Sequence, residues 1–274
     1  MKKYLVILMA ILMVFTFAAC GSTSDEPVGD DTAAEGAGAE SITFIQGFDL
    51  DFPPYTYMGD DGNYTGFDVE LCQAVCDYLG WTYEGFPVNW DAKDAELNSG
   101  SCDCIWSGFT INGREDEYEW TIPYSNNEQM ILVPEGSDIK TLADLAGKVV
   151  GVQMSTSADD MLNDGQAALK DTFKELKTYE TYTIAFADLK AGGCDAIAID
   201  VTTGNFQMEN NPDFPCVYLE EMLGNEQYGV GLRKGETEMA AQISGALKAL
   251  AADGTVAEIA AKYPEIEQYI SIEQ

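Results

Sequence analysis

A nine-residue pattern occurs twice in this chain and constrains its fold more than any other feature. Leu97–Ile105 reads LNSGSCDCI, and Leu189–Ile197, 92 positions later, reads LKAGGCDAI. Both copies have the form L-x-x-G-x-C-D-(C/A)-I, in which a glycine ends a helix and a short apolar strand follows. The repetition predicts two lobes of similar construction, each with its own sheet.

Strand patterns alternate with helical patterns along the chain. We expect strands over 42–46, 82–88, 128–133, 148–152 and 216–219, and a helical segment that continues from 157 to about 176. This alternation predicts an α/β fold of two lobes, each a mostly parallel sheet flanked by helices. Parallel sheets bind ligands beyond the carboxyl ends of their strands, so the polar residues after the two repeats are expected to form two halves of one site.

The break at Pro134-Glu135-Gly136 suggests where the chain changes lobe. We expect 41–133 together with 229–274 to form the first lobe and 134–228 to form the second. Hinge segments are then expected near 133–136 and 226–230.

The N-terminus has the pattern of a signal peptide over residues 1–19. Lys2 and Lys3 precede a short apolar run, and Ala18-Ala19-Cys20 follows it. This ending resembles a bacterial lipobox, with Phe17 where leucine is usual, and implies that Cys20 is lipidated; an ordinary signal peptide with an incidental cysteine is the alternative. Residues 20–40 are small and acidic without an aromatic residue, which predicts a flexible tether. The expected location is extracytoplasmic, lipid-anchored to the outer face of the cell membrane.

The composition excludes several classes of function. With 14 basic against 47 acidic residues, the chain is unsuited to nucleic acid or to docking on anionic lipid through basic residues. The absence of histidine removes the commonest general base and metal ligand. We therefore expect no metal and no cofactor. The six cysteines beyond Cys20 read as small buried apolar residues, although disulfides or metal thiolates remain open.

A free amino acid is a ligand that the polar residues after the repeats can satisfy. Its carboxylate requires an arginine with hydroxyl or N–H donors, its ammonium group a carboxylate, and its side chain aromatic walls. The chain has two arginines, and Arg233 lies in a turn beside Lys234. Arg114 follows a buried strand and a hydroxyl-rich loop; a surface ion-pair cluster with Glu115–Glu117 is the alternative reading.

The chain resembles the bacterial extracellular solute-binding proteins of the polar amino-acid family, which serve ABC importers. The motifs that carry the resemblance run in family order from about 42 to 263: Phe52-Pro53-Pro54-Tyr55, Gly66–Leu71, Asp103–Thr110 with Arg114, Pro123-Tyr124, Leu142–Lys148, Gly151–Thr156, Asp195–Asp200, Tyr228–Gly231, Asp253-Gly254-Thr255, Ile259 and Lys262. The resemblance implies a clamp that closes on a ligand between two lobes and carries out no covalent chemistry.

The resemblance also implies a binding role for particular residues. Arg114 would clamp the α-carboxylate, helped by Thr110 and by backbone N–H groups at Ser155 and Thr156. The segment from Thr110 to Arg114 is one residue shorter than is usual in the family, with Gly113 available for a tighter turn, and Ser155 replaces a customary glycine. Thr156 has a simple helix cap as its alternative reading.

The other groups of an amino acid are assigned to a second set of residues. Asp200 would bind the α-ammonium group together with the carbonyl of Gly108, while Phe52 and Trp90 would sandwich the side chain and Asp49 would bind its polar end. The alternatives are a helix cap for Asp200, lobe core for the aromatics and a solvated loop residue for Asp49.

The predicted protein is a monomeric binding protein, not an enzyme, that delivers a polar amino acid to the permease of an ABC importer. Glutamine, a basic amino acid and cystine are the candidate ligands. A ligand-sensing module that feeds a signalling partner is the first alternative. A periplasmic dehydratase is the second, with Asp49 or Glu128 as its acid or base.

Overall fold

Two mixed sheets divide residues 42–272, the part of the chain that the computed structural model describes, into two lobes. The signal peptide, Cys20 and the tether predicted from the sequence lie outside the described residues. The strands are β1 (Thr43–Phe48), β2 (Asp51–Phe52), β3 (Thr56–Met58), β4 (Tyr64–Thr65), β5 (Thr82–Pro87), β6 (Cys104–Ile105), β7 (Glu119–Trp120), β8 (Ser125–Pro134), β9 (Val149–Gln153), β10 (Glu175–Tyr179), β11 (Ala196–Asp200), β12 (Cys216–Tyr218), β13 (Gly224–Tyr228) and β14 (Gly231–Leu232). The α-helices are α1 (Phe67–Leu79), α2 (Lys93–Ser99), α3 (Ser157–Asn163), α4 (Ala167–Lys170), α5 (Tyr182–Ala191), α6 (Val201–Asn210), α7 (Thr237–Asp253) and α8 (Thr255–Ala260). Short 3-10 helices cover Trp90–Ala92, Leu142–Leu145 and Glu267–Tyr269.

The first sheet has the strand order β5-β1-β6-β14-β7. Its β5, β1 and β6 are parallel, whereas β14 pairs antiparallel with both β6 and β7. A small antiparallel sheet of β2, β3 and β4 is attached to this lobe.

The second sheet has the order β10-β9-β11-β8-β12, with β13 also paired to β8. Here β10, β9 and β11 are parallel, and β8 pairs antiparallel with its three neighbours. The two-lobe α/β class is confirmed, and each lobe contains a parallel set of three strands with antiparallel additions. Both faces of β11 are buried, which explains its continuous apolar sequence.

The boundary between the lobes differs from the predicted one. Strand β8 belongs wholly to the second sheet, so the chain leaves the first lobe after β7, at 121–124, rather than at 133–136. It returns to the first sheet at 229–230, between β13 and β14. The two crossovers are hydrogen-bonded to each other: the Thr121 N–H donates to the Val230 carbonyl (3.1 Å), and the Tyr124 N–H donates to the Tyr228 carbonyl (2.9 Å). The break at Pro134 marks the end of a ten-residue strand, not the end of a lobe.

The sequence repeat corresponds to a repeated structural device. Gly100 and Gly192 end α2 and α5 in the left-handed conformation, with φ of 82° and 77°. The aspartate that follows accepts from the adjacent parallel strand in both lobes, β1 in the first and β9 in the second. An oxygen of Asp103 accepts from the Ile45 N–H (2.9 Å), and an oxygen of Asp195 accepts from the Val149 N–H (2.8 Å). The repeat therefore fixes the start of the central strand in each sheet.

The two repeated aspartates are expected to contribute unequally to stability. Asp103 also pairs with the guanidinium of Arg233 (3.3 Å), whereas Asp195 is exposed. We expect Asp195→Ala to lower the free energy of unfolding by about 1 kcal/mol and Asp103→Ala by about 2 kcal/mol, because the second change also removes an ion pair. Urea denaturation measures both values. An equal or reversed order would contradict the expected contribution of the ion pair between Asp103 and Arg233.

All six cysteines in the described part of the chain are buried and unpaired, namely Cys72, Cys76, Cys102, Cys104, Cys194 and Cys216. They pack as small apolar residues, and burial raises the pKa of the Cys72 and Cys104 thiols. No helix within 42–272 has both the length and the apolar character needed to span a bilayer.

Candidate functional site

The polar residues of interest lie where the parallel strands end. Asp49 follows β1, Ser107–Thr110 follow β6, Ser155 and Thr156 follow β9, and Asp200 is the last residue of β11. Because the parallel strands of both sheets direct their carboxyl ends toward the space between the lobes, one cleft collects all four groups. The two halves of the site predicted from the repeat thus meet across this cleft.

The innermost part of the cleft is nearly closed, with a cavity of about 10 Å³. It is lined by seven of the nine predicted ligand-binding residues, together with two that the sequence did not indicate, Phe109 and Ser157: Phe52, Trp90, Gly108, Phe109, Thr110, Arg114, Thr156, Ser157 and Asp200. Asp49 and Ser155 lie near this part of the cleft rather than in its lining.

Asp68 fixes the loop that carries Gly108. Its fully buried carboxylate accepts from the Gly108 N–H (2.6 Å) and from the Tyr124 hydroxyl (2.7 Å). Asp68 lies inside α1 rather than capping it, since the helix begins at Phe67 after Gly66. Gly108 has a φ of 54°, and a Cβ there would approach the Phe52 ring to 2.5 Å, so this position requires glycine.

The shortened loop still brings Arg114 to the cleft. Gly113 adopts a φ of 84°, and the Arg114 N–H donates to the Ile111 carbonyl (2.9 Å) in a tight turn. The guanidinium carbon lies 5.2 Å from the centre of the Phe109 ring. Across the cleft, Arg114 Nη2 pairs with the Asp160 carboxylate at 2.6 Å. The side chain is therefore buried and directed by packing, which distinguishes it from a surface cluster with its neighbouring acids.

Phe52 and Trp90 form two aromatic walls. Phe52 stacks on Tyr55 with 5.8 Å between ring centres and lies 6.2 Å from Tyr182 of the second lobe. Trp90 meets the Phe109 ring edge-on at 5.6 Å, and its Nε1 donates to the Ser155 carbonyl (3.1 Å). Both rings are buried and both face the cleft.

Ser155 and Thr156 differ in their hydrogen bonds and in their position in the cleft. The Ser155 N–H donates to the Asp159 carboxylate (3.1 Å), and its hydroxyl donates to Asp91 of the first lobe (2.6 Å). Ser155 adopts a φ of 59°, the conformation that explains why glycine is customary here. Ser155 lies at the outer mouth of the cleft instead of its interior. Thr156 lines the interior and also caps α3, its hydroxyl accepting from the Asp159 N–H (3.4 Å).

Asp200 is buried at the start of α6 but does not cap it. One of its oxygens accepts from Asn127 (2.9 Å), Gln129 (2.6 Å) and the Tyr228 hydroxyl. Burial and the nearby Glu226 carboxyl raise the pKa of Asp200 well above its usual range. The helix-cap alternative is therefore not the role of this side chain.

Asp49 is buried rather than solvated. Its carboxylate accepts from Gln153 Nε2 of the second lobe (2.6 Å) and from the Asp51 N–H (2.9 Å). Burial raises the pKa of Asp49 to about 6, partly offset by those hydrogen bonds. The Oε1 atom of Gln153 is buried without a hydrogen-bond partner within 42–272, so this end of the site offers an acceptor.

Several residues of the site were not identified from the sequence. Asn127 and Gln129 project from β8 onto the buried carboxyls, and Glu226 of β13 joins them. The spacing of Asn127 and Gln129 could have indicated this from the sequence, because residues i and i+2 of a strand lie on the same face. Lys93 is also buried, and its ammonium lies 3.3 Å from the Ser155 carbonyl. Glu128, one of the two residues considered for catalysis, lies outside this cleft, in a depression along the paired strands β8 and β13.

Residues 44–265 match the family model described as bacterial extracellular solute-binding proteins, family 3. The chain is 30% identical over 227 residues to the L-cystine-binding protein TcyJ of Escherichia coli K12, covering 82% of this chain and 83% of that protein. It is 29% identical over 266 residues to ABC transporter arginine-binding protein 1 of the same strain, covering 94% and 97%.

Solved structures agree with these matches. The fold superposes with a TM-score of 0.77, at 31% identity, on an ABC uptake transporter substrate binding protein from Streptococcus pneumoniae with bound histidine, covering 84% of this chain and 95% of that one. An ancestral arginine-binding protein bound to arginine gives a TM-score of 0.75 at 32% identity, covering 81% and 97%. The described family and these proteins are binding proteins rather than enzymes.

Proposed function

Because this chain belongs to the bacterial extracellular solute-binding proteins of family 3, we propose that it captures a polar free amino acid between its lobes and delivers it to an ABC permease. The observation that carries this proposal is one cleft with a guanidinium, Arg114, and a buried carboxylate, Asp200, on opposite lobes, and aromatic rings between them. This arrangement complements the zwitterionic end of an amino acid.

The α-carboxylate binds Arg114 in this proposal. Arginine presents two parallel N–H donors in the geometry of a carboxylate, and the Phe109 ring holds the plane of the guanidinium. Thr110 and the N-terminal end of α3 at Thr156 supply further donors. The Thr110 hydroxyl donates to Glu226 (3.1 Å) and has to rotate in order to reach the ligand.

The α-ammonium group binds Asp200 and the carbonyl of Gly108. Asp200 presents its carboxylate from the second lobe, and Gly108 belongs to the first. The ammonium group therefore bridges the lobes and stabilises the closed arrangement, in which ligand contacts from both sides are made at once.

The ligand side chain lies between Phe52 and Trp90 and ends near Asp49 and Gln153. The Asp49 carboxylate and the unpartnered Gln153 Oε1 are both acceptors, so they favour a side chain that carries N–H donors. Arginine and cystine are named for the two relatives above, and histidine for the pneumococcal structure. We propose a basic amino acid, glutamine or cystine as the ligand class of this chain.

Closure is supported by polar contacts between the lobes around the cleft. They link Arg114 with Asp160, Trp90 and Lys93 with the Ser155 carbonyl, Ser155 with Asp91, Asp49 with Gln153, and Asp51 with Thr183. These groups are polar and lie on two lobes joined by crossovers at 121–124 and 229–230. Such contacts can be broken and remade as the hinge moves.

A thermal-shift screen tests the proposal. The chain from residue 21 onward is heated with each of the twenty amino acids and with cystine. A ligand present at 100 times its Kd is expected to stabilise the protein by about 2.7 kcal/mol, visible as a rise in Tm of several degrees. If no compound raises the Tm, the amino acid proposal fails; a signal from acidic amino acids alone would contradict the role of Asp49 and Gln153.

We further propose that Cys20 carries a lipid that anchors a monomeric protein outside the cell membrane. The small residues Ala18 and Ala19 before Cys20 support this. Expression with an alkyne-bearing fatty acid is expected to label the wild type and not Cys20→Ser. Labelling of both, or of neither, would contradict lipidation at this cysteine.

A further inference from the structure

Two buried carboxyl groups meet at the hinge end of the cleft. Asp200 and Glu226 are 3% exposed each and lie on neighbouring elements, the end of β11 and the middle of β13. Within 42–272, neither of them forms an ion pair with a lysine or arginine. Burying two unpaired negative charges side by side costs free energy. The state in which one of the two carboxyls is protonated is therefore favoured.

The amide groups around the pair bind both acids with the same nitrogen atoms. Asn127 Nδ2 lies 2.9 Å from Asp200 and 2.7 Å from Glu226, and Gln129 Nε2 lies 2.6 Å and 2.8 Å from them. Each amide nitrogen carries two hydrogens, so it can donate one to each carboxyl. These shared donors hold the two carboxyls close together. Two ionised carboxyls at such a short separation repel each other, and one proton between them removes the repulsion.

The other ionisable groups around the pair do not supply a compensating charge. The phenols of Tyr55, Tyr182, Tyr218 and Tyr228 feel the charge of Asp200, and burial keeps all of them neutral by raising their pKa. Arg114 faces the same cleft but pairs with Asp160. Thr110 donates to the second oxygen of Glu226 (3.1 Å) from the first lobe.

We propose that Asp200 and Glu226 share one proton, and that an ammonium group binding at Asp200 displaces it to solvent. Glu226 is then a positioning residue, which acts on the ligand through the charge state of Asp200. The proton leaves one carboxyl oxygen as the O–H bond breaks, and the ammonium N–H donors replace it; no other bond changes. The inference rests on the proposed function, because the ammonium group is that of the captured amino acid.

This coupling makes binding depend on pH in a defined direction. Since the ammonium group requires an ionised Asp200, affinity is expected to rise with pH by up to about tenfold per unit while the pair is protonated. Calorimetry in two buffers of different ionisation enthalpy counts the released protons. We expect release approaching one proton near pH 6 in the wild type.

Glu226→Gln tests the role of the second carboxyl. The amide can accept from Asn127 and Gln129 through its oxygen and donate to the Thr110 hydroxyl, so the network is preserved without the shared proton. Proton release near zero, a flattened pH profile and weaker binding above pH 8 are expected. A uniform loss of affinity with unchanged proton release would reduce Glu226 to a structural residue and overturn the proposal.

Glu128→Gln is the matched control, because it removes the same charge from the adjacent strand outside the network. It is expected to leave proton release and the pH profile unchanged. A loss of proton release in this variant would overturn the assignment to Glu226.

Infrared spectroscopy tests the shared proton without any ligand. Burial also raises the pKa of Asp49 and Asp68, so the readout is the difference between variant and wild-type spectra at pH 7. A carboxylic acid carbonyl band is expected to be lost in Glu226→Gln and to persist in Glu128→Gln. Identical spectra would overturn the shared proton. Failure of every amino acid to bind would instead overturn the proposed function, and the infrared comparison would still decide on the proton.

Discussion

Replacing Arg114 by alanine is expected to weaken amino acid binding by at least about 100-fold. The change removes the fork of donors proposed for the α-carboxylate and leaves that group buried without a partner, a loss of about 3 kcal/mol or more. Isothermal calorimetry with the ligand identified by thermal shift measures the effect. Circular dichroism checks that the variant is folded.

Arg233→Ala is the matched control for this prediction, because it removes the other arginine of the chain. Arg233 binds Asp103, Glu236 and the Cys102 carbonyl within the first lobe, away from the cleft. We expect its removal to lower the Tm and leave the affinity within about twofold. Equal losses of affinity in the two variants would show that the effect is general charge or stability, not carboxylate binding.

Asp160→Asn distinguishes ligand binding by Arg114 from the ion pair that Arg114 forms with Asp160. The Asp160 side chain is 58% exposed, so its pair with Arg114 contributes little to stability despite the 2.6 Å distance. Loss of the charge frees the guanidinium, and the affinity is expected to stay equal or rise. A large loss of affinity would mean that Arg114 acts through its ion pair with Asp160 and not by binding the ligand.

The elements that local rules determine could be predicted from the sequence. Glycine ends α1, α2, α5 and α7 in the left-handed conformation at Gly80, Gly100, Gly192 and Gly254, which needs only the residue itself. The polar residues after β6 and β11 were predicted to meet because parallel strands end on one side. The structure places them in one cleft for that reason.

The elements that depend on distant partners could not be predicted. Strand β10 was expected to be helical, because Glu175-Leu176-Lys177 favours helix and only its edge pairing with β9 makes it a strand. Strand β8 was assigned to the first lobe because nothing in its own sequence indicates that it pairs with β11 and β13. Glu226 has the sequence surroundings of an exposed residue, and only Thr110, Asn127 and Gln129 explain its burial.

Replacing Asp68 by alanine is expected to reduce the free energy of unfolding by about 3 kcal/mol and to weaken ligand binding. The variant leaves the Gly108 N–H and the Tyr124 hydroxyl buried without their acceptor. Gly108 then loses the bond that fixes the loop between β6 and Arg114. Urea denaturation measures the stability, and calorimetry measures the binding.

Asp68→Asn separates the hydrogen bonds of this residue from its charge. The amide oxygen can accept from both donors, so we expect a loss below about 1 kcal/mol at pH 7. Full destabilisation by both variants would mean that the negative charge itself is required.

The pH dependence of the wild type and of Asp68→Asn provides the sharper comparison. Burial raises the pKa of Asp68 to about 7, above the value of about 3.9 expected in the unfolded chain. The folded protein therefore binds more protons than the unfolded chain between these values, and the contribution of Asp68 is fully present below pH 4 and is lost as the pH rises through 7. The asparagine side chain of the variant does not titrate, so the stability of Asp68→Asn relative to the wild type is expected to increase from pH 4 to pH 8. A constant difference across this range would show that Asp68 is ionised throughout, with its hydrogen bonds to Gly108 and Tyr124 outweighing the cost of burial.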